Sequence, residues 1–254
     1  MSEKIPSGEV RLSSPFLKKL DNYWYHYKWH TIAALVLVVA ILVCTLQMCK
    51  KEPYDLEVIY GGPYDLITKP QTRLDVAGGF AAVIDDENGD GERLVNFYAY
   101  WVDDSLFEEG ADDAGNIGVL INNSMSNKEA LRDELVAGDV MIFLLSPSVF
   151  WEYAERDAFV SIKEICPEIA PYVSDICPED KAGRLDTSGI LLSQTALGQK
   201  AGFSSLPEDT VLCLRKVAPL QSMPFRRKKA EEERAYCTEY IRRILAEEVT
   251  RLES

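Results

Sequence analysis

The chain has only two histidines, His26 and His30, and none in the long C-terminal part that follows them. A Ser–His or Cys–His nucleophilic centre depends on an imidazole base, so the C-terminal part lacks the residue type which that chemistry needs. The sequence also contains no GxSxG, no phosphate-binding glycine-lysine loop and no HExxH. We therefore expect that this protein is not an enzyme.

Closely spaced cysteine pairs are also missing. The six cysteines form no CxxC pair, and they lie at Cys44, Cys49, Cys166, Cys177, Cys213 and Cys237. Because the spacing is wrong and no histidine lies nearby, we expect no zinc site. Two interpretations of Cys166 and Cys177 stay open. In an extracellular domain they would form a disulfide that staples the segment between them, or else both are reduced, buried thiols.

Basic residues are scarce after the first fifty positions. Residues 50–254 carry 22 Lys and Arg against 38 Asp and Glu, a net charge of −16, whereas residues 1–49 have a net charge of +2. Binding to nucleic acid depends mainly on neutralising phosphates with basic side chains. We therefore expect no nucleic-acid partner.

The sequence does contain one long apolar run, Ile32 to Cys49, eighteen residues without a formal charge. As a helix it would span about 27 Å, close to the ~30 Å hydrocarbon core of a bilayer. Five tyrosines and tryptophans lie between Tyr23 and His30, a composition typical of the headgroup region. Pro15, after a serine cap, is a suitable first residue for this helix. The pattern predicts a single transmembrane helix at 30–50, with the lipid bilayer as its partner.

A cleaved signal peptide is the competing interpretation of this run. It would have an unusually long n-region, and no small-x-small cleavage site follows it, so we favour a retained signal anchor. Basic residues near a span mark its cytoplasmic side, and the N-terminal segment has five of them. We predict a single-pass protein of the cell membrane, with residues 1–29 cytoplasmic and residues 51–254 forming an extracytoplasmic domain.

The C-terminal part predicts an α/β domain. Apolar runs and alternating patterns predict strands at 55–60, 79–84, 94–102, 117–121, 140–145, 189–192 and 210–214. Helices are predicted at 126–137 after a capping box, from Ser146 with Val149, Phe150, Tyr153 and Ala154 facing inward, and at 229–252. The order strand–helix–strand–helix from 117 onward predicts a right-handed parallel crossover and a mixed sheet with helices on both faces.

In open α/β sheets, ligands bind beyond the carboxyl ends of the strands, where helix N-termini present free N–H groups. Two groups of polar residues fit that description. Asn122, Asn123 and Ser124 follow the first predicted buried strand, and Ser146 and Ser148 follow the second. They are candidate contacts to a small polar or anionic ligand. The alternative is that the serines at these positions only cap helices.

Asp86-x-Asn88-x-Asp90-Gly91 matches the first half of a calcium loop. The twelfth position of an EF-hand loop would be Phe97, where a carboxylate is required, so an EF-hand is excluded. Two interpretations remain: a plain turn between strands, or a weak calcium site. We expect no other cofactor.

Two segments are similar to known families. Leu135 to Leu144 (LVAGDVMIFL), followed by a helix and Ala158 to Ile162 (AFVSI), resembles a recurring segment of bacterial solute-binding proteins, with Asp157 where that family has glycine. The aromatic run Trp24 to His30 entering the span, together with the Asn-Gly-Asp-Gly loop, resembles uncharacterised single-pass membrane proteins of clostridial-type Gram-positive bacteria. The resemblance implies a solute-binding-protein-like extracytoplasmic domain.

These observations lead to one expected function and one alternative. The first is a membrane-anchored extracytoplasmic binding domain for a small polar ligand or an envelope partner protein. The alternative is a structural or assembly protein of the cell envelope that has no small-molecule ligand.

Overall fold

The computed structural model describes residues 15–48, 54–107, 117–137, 139–200, 202–217 and 224–253. The chain divides into two compact units, Met1–Glu52 and Pro53–Ser254. The N-terminal unit contains helix α1, Pro15–Met48, which begins at the predicted proline. Its stretch Tyr23–Cys44 has 22 residues, none of them buried, and an 18-residue window within it has a mean hydropathy of 2.0. This helix is long and apolar enough to span a membrane, and a signal sequence near the N-terminus would have the same properties.

The second unit is built on one mixed sheet of five strands in the order β2-β1-β3-β5-β4. The strands are β1 Leu56–Gly62, β2 Val95–Trp101, β3 Ile142–Leu145, β4 Ile190–Leu191 and β5 Val211–Leu214. β1 pairs in parallel with both β2 and β3, whereas β5 runs antiparallel to β3 and β4. The mixed α/β class and these five strands are confirmed.

Helices flank the sheet on both faces. They are α2 Pro70–Ala81, α3 Ile117–Ala137, α4 Pro147–Ala154, α5 Ile162–Ile165, α6 Val173–Ile176 and α7 Pro224–Glu253, with short 3₁₀ turns at Asp104–Phe107, Pro167–Tyr172 and Leu192–Gln194. The predicted start of α4 after Ser146 is confirmed, and Val149, Phe150 and Tyr153 are buried as expected. The C-terminal helix is confirmed and begins five residues earlier than the predicted 229.

Side chains that alternate along the strands divide the core into two layers. Val58 and Tyr60 of β1 point into the layer covered by α2 and α7, where Phe80 and Leu245 are fully buried. Ile59 points into the opposite layer, covered by α3 and α4. β3 alternates in the same way, and its four residues are all buried. Period-two burial on both faces explains why β3 is apolar throughout.

The strand predicted at 79–84 is wrong, because this segment is the C-terminal end of α2 and the turn after it. Its apolar residues continue a helical pattern from upstream: Val76 and Phe80, four positions apart, are both fully buried. Gly79 lets the helix approach the core closely, since a Cβ there would lie 2.6 Å from the Phe203 ring.

The strand predicted at 117–121 is also wrong, because α3 begins at Ile117 and runs through this segment. Val119 is 61% exposed and Leu120 is 42% exposed, so the run is not buried. The predicted capping box at Ser126 lies inside the same helix. Ser124, Leu131 and Leu135 form the buried face of α3 at helical spacing.

The acidic segment 85–92 does not join two strands as predicted, because it connects α2 to β2. It is organised by Asp55, a buried residue just before β1. One carboxylate oxygen of Asp55 accepts N–H groups from Glu87 at 2.9 Å and Asn88 at 3.2 Å, and the other accepts the Leu94 N–H at 2.8 Å. Three backbone donors of the loop therefore bind one buried carboxylate.

Cys166 and Cys177 are both free and buried in the structure. Burial raises the pKa of the Cys177 thiol to about 12. Of the two alternatives for this pair, the structure has reduced thiols, which are protonated and unreactive near neutral pH. Cys49 lies outside the described residues.

Candidate functional site

The sheet topology creates a crevice at the carboxyl ends of β1 and β3. The chain leaves β1 towards α2 on one face of the sheet, and it leaves β3 towards α4 on the other. The two adjacent parallel strands therefore send their following segments in opposite directions. In open α/β sheets, ligands bind at such a switch point.

A cavity of about 660 Å³ opens there, a size typical of small-molecule sites. We call it the carboxyl-edge cavity. It is lined by Tyr60, Pro63, Ser146, Pro147, Ser148, Trp151, Glu155, Glu179, Asp180, Lys181, Ala182, Arg184, Pro207, Asp209 and Thr210. The floor comes from the ends of β1, β3 and β5, one wall comes from α4, and the segment 179–184 forms the other wall.

One face of α4 forms the first wall. Ser148, Trp151 and Glu155 are spaced three and four residues apart, so they lie on the same side of the helix, about 10 Å from first to last along its axis. Trp151 is half-buried and packs edge-on against the Phe150 ring, with centroids 5.3 Å apart. The cavity wall thus presents a hydroxyl, an aromatic ring and a carboxylate, in that order along the helix axis.

Ser146 occupies the cap position of α4, but its side chain makes no capping hydrogen bond. Its hydroxyl lies 3.3 Å from the Ser148 hydroxyl, and both residues line the cavity. The Ser146 N–H donates to the Gly61 carbonyl at 2.8 Å, which fixes the end of β3 against β1. Since no side chain caps the helix, its first N–H groups are left to other acceptors.

Tyr60 lines the cavity floor although it is only 1% exposed. Its hydroxyl accepts the Tyr64 N–H at 3.2 Å. Burial, and to a smaller extent the Asp209 charge, raises the pKa of Tyr60, so the hydroxyl keeps its proton. Within the described part of the chain that proton has no acceptor.

Gly62 allows this floor to pack. A Cβ at Gly62 would lie 2.7 Å from the Tyr60 hydroxyl oxygen and 3.0 Å from the Ser146 Cβ, closer than side chains normally approach. The Gly-Gly-Pro end of β1 therefore brings the backbone directly beneath the cavity, as glycine often does at binding sites.

The opposite wall is a turn built by Asp180. Its carboxylate accepts the N–H groups of Ala182 and Arg184 at 2.8 Å each, and the Arg184 side chain donates to it at 2.6 Å. Gly183 takes a positive φ of 78° at the bend. The Arg184 backbone N–H is the largest cause that lowers the pKa of Asp180, and the Arg184 side chain adds to it.

The cavity lining carries more negative than positive charge: Glu155, Glu179, Asp180 and Asp209 against Lys181 and Arg184. Arg184 pairs with Asp180 at 2.6 Å and lies 4.0 Å from Glu155. Among the described residues, neither Asp209 nor Glu179 has an ion-pair partner or a side-chain hydrogen bond.

The two groups of predicted ligand contacts do not come together. Ser146 and Ser148 line the carboxyl-edge cavity. Asn122, Asn123 and Ser124 lie within α3, not after a strand, so their predicted placement is wrong. The Ser124 hydroxyl is buried and accepts the Asp103 N–H at 2.9 Å, which is a structural role. Asn122 is exposed and lines neither cavity described here.

Asn123 lines a second, more open cavity of about 600 Å³, together with Asp65, Ile67, Thr68, Trp101, Leu120, Ser126 and Asn127. Trp101 of this lining is linked to the carboxyl-edge cavity, because its indole N–H donates to the carbonyl of Pro63 at 2.9 Å and Pro63 lines that cavity.

The predicted calcium residues form a turn. Asp86 accepts the N–H groups of Gly89 at 2.6 Å and Gly91 at 2.9 Å, one on each carboxylate oxygen. Asn88 and Asp90 accept the N–H groups of the residues two positions on. Within the described residues, no three His, Cys, Asp or Glu side chains cluster closely enough to hold a metal ion. Calcium binding here stays a prediction.

Several cavity residues were missed at the sequence level: Tyr60, Trp151, Glu179, Asp209 and Thr210. Tyr60 had a usable signal, since it ends a predicted strand just before Gly-Gly-Pro. Thr210 lies opposite Ser146 because β5 pairs with β3, a pairing that no local pattern encodes. Comparison with family models, with curated proteins and with solved structures finds no match to this chain.

Proposed function

We propose that the Pro53–Ser254 unit is an extracytoplasmic binding domain, anchored in the membrane by α1, which takes a small polar ligand in the carboxyl-edge cavity. The observation that carries the proposal is the position of this cavity at the β1/β3 switch point, with two serine hydroxyls and an uncapped helix N-terminus on its surface. No chemical step is assigned to it.

The resemblance to solute-binding proteins is part of this proposal. Asp157 supports it, because it is the one non-glycine residue in the described chain with a positive φ, 57°. The related segment has glycine at this position, and left-handed backbone is where glycine is favoured. The Lys216 ammonium lies 2.5 Å from the exposed Asp157 carboxylate.

Thermal unfolding of the full chain in lipid nanodiscs tests ligand binding. A panel of sugars, amines, amino acids and organic anions is added, and at least one compound is expected to raise the unfolding midpoint by several degrees in a saturable way. Ser148→Trp, which fills the cavity from the exposed face of α4, should abolish that rise. Asn122→Trp is the matched control, because Asn122 is exposed outside the cavity. A flat response across the panel would contradict the proposal.

The anchor and its orientation need a separate test. If α1 spans the bilayer with its N-terminus in the cytoplasm, membranes washed in alkaline carbonate should retain the chain. Protease added to whole cells should then digest the Pro53–Ser254 unit. Release of the intact chain by the wash would exclude a membrane span, and a protected unit would reverse the proposed orientation.

Docking of an envelope partner protein is the second candidate function, and the second cavity favours it. Ile67 is 53% exposed and Leu120 is 42% exposed, and both lie beside Trp101. Exposed apolar groups in a depression are typical of protein contact sites. A photo-crosslinker at Leu120 should capture a single envelope protein, whereas one at Arg132, exposed elsewhere on α3, should not. Equal labelling from both positions would count against this function.

A further inference from the structure

We propose that the carboxyl-edge cavity selects a small hydroxylated amine: its protonated nitrogen binds at Asp209, and an oxygen of the same ligand accepts the Tyr60 hydroxyl proton. This inference rests on the proposed function and specifies the chemical class of the ligand.

The first step concerns charge. Of the four carboxylates in the lining, Asp180 is bound to its own turn and to Arg184, and Glu155 lies 4.0 Å from the same guanidinium. Within the described residues, Asp209 and Glu179 have no ion-pair partner and no side-chain hydrogen bond, and Lys181 is the remaining cation among the described lining residues. A carboxylate binds a protonated amine through a charge-assisted hydrogen bond, about twice as strong as a neutral one.

The second step concerns Tyr60. A buried hydroxyl normally donates as well as accepts, yet within the described residues this one only accepts, from the Tyr64 N–H at 3.2 Å. Asp209 acts on it through charge and not through a hydrogen bond. An ammonium cannot accept the tyrosine proton, because it has no lone pair. A ligand with an oxygen beside its amine supplies the acceptor that the amine cannot.

The third step concerns the body of the ligand. Ser146 and Ser148 add further hydroxyl partners at the floor, and Trp151 offers the face or edge of its ring partway along the α4 wall. An aromatic ring binds a cation through its face and also packs against apolar C–H groups. A compact ring that carries hydroxyl groups and one amine would offer a partner to each of these lining groups.

Four six-membered ring compounds separate these features: glucosamine carries an amine and hydroxyls, glucose only hydroxyls, cyclohexylamine only an amine, and glucuronate a negative charge with hydroxyls. Their affinities for the full chain in nanodiscs are measured by ligand-observed NMR titration below neutral pH, where the amines are protonated. We expect glucosamine to bind about tenfold more tightly than glucose, which lacks the charge-assisted hydrogen bond to Asp209, and than cyclohexylamine, which lacks an oxygen acceptor for the Tyr60 hydroxyl. Glucuronate should bind most weakly.

Two variants test the proposed contacts, and a third variant is their control. Asp209→Asn should weaken glucosamine about tenfold and leave glucose unchanged, since the amide keeps the shape and loses the charge. Tyr60→Phe should weaken glucosamine and glucose together and spare cyclohexylamine. Asp175→Asn is the matched control, because Asp175 is an exposed aspartate outside the cavity and should change nothing.

The outcomes separate the two proposals. Equal affinity for glucosamine and glucose, with no effect of Asp209→Asn, would overturn the amine assignment while leaving a sugar-binding cavity intact. Binding of none of the four compounds would also overturn it. Whether the cavity binds any ligand is then decided by the broader panel and its Ser148→Trp variant.

Discussion

Two groups of acidic residues in this domain differ in the hydrogen bonds that their carboxylates make. In the segment 85–92, Asp86 and Asp90 accept hydrogen bonds from backbone N–H groups of the same loop. The buried Asp55 accepts three further backbone N–H groups. In the lining of the carboxyl-edge cavity, Asp209 has no such partner within the described chain. Acidic composition alone therefore does not identify a candidate binding site, because the hydrogen bonds that each carboxylate already makes must also be known.

The comparison is tested most strongly by removing one aspartate from each region. Asp55→Ala leaves three backbone N–H groups without their acceptor, and we expect the free energy of unfolding to fall by about 3 kcal/mol. Asp209→Ala removes an exposed carboxylate that has no partner in the described part of the chain, so its cost should stay below about 0.5 kcal/mol. Urea denaturation of the full chain measures both. Equal losses would show that Asp209 is also a structural residue.

Gly62 and Gly78 test whether the cavity floor is as tightly packed as the geometry indicates. Gly62→Ala places a Cβ 2.7 Å from the Tyr60 hydroxyl, and we expect a loss of about 2 kcal/mol together with weaker ligand binding. Gly78→Ala is the control, because no atom lies within 4 Å of its Cβ and the residue is exposed in α2. It should stabilise the helix by about 0.5 to 1 kcal/mol. A neutral Gly62→Ala would mean that the floor can relax.

The sequence predicted the sheet best where a strand is flanked by clear turn residues. β3 is followed directly by Ser146-Pro147, and this pair predicted the start of α4. It also led to the prediction of two residues that line the cavity, Ser146 and Ser148. The strand predicted at 117–121 was wrong because a short apolar run of this length is compatible with a strand and with a helix. Ser124 and Leu131 are both buried and lie seven positions apart, which is helical spacing. The sequence does not show that Ser124 is buried, so this sign of a helix is visible only in the folded structure. The remaining cavity residues come from distant segments that the sheet brings together.

Substitution of Asp86 distinguishes a plain turn from a calcium site in the segment 85–92. Asp86→Ala removes two hydrogen bonds from an exposed loop, and we expect a loss of about 1 kcal/mol in the absence of any metal. Because both oxygens already bind N–H groups, millimolar calcium should raise the unfolding midpoint of the unaltered chain by less than this variant lowers it. A larger, saturable rise with calcium, abolished by Asp86→Ala, would establish the calcium site and contradict the plain turn.

Asp180 lies in the cavity wall but belongs, by its hydrogen bonds, with the turn-forming aspartates, and its pH dependence tests that assignment. Its pKa is lowered in the folded state, so its contribution to stability is present above the ordinary value of 3.8 and is lost as the pH falls below it. Asp180→Asn keeps an acceptor for the turn and loses the charge that binds Arg184. We expect the variant to be slightly less stable than the unaltered chain at neutral pH, and the difference to vanish in acid. Urea midpoints measured across this range check it. A difference that persists at low pH would mean that Asp180 does not act through its charge, because a protonated carboxyl and an amide are both neutral.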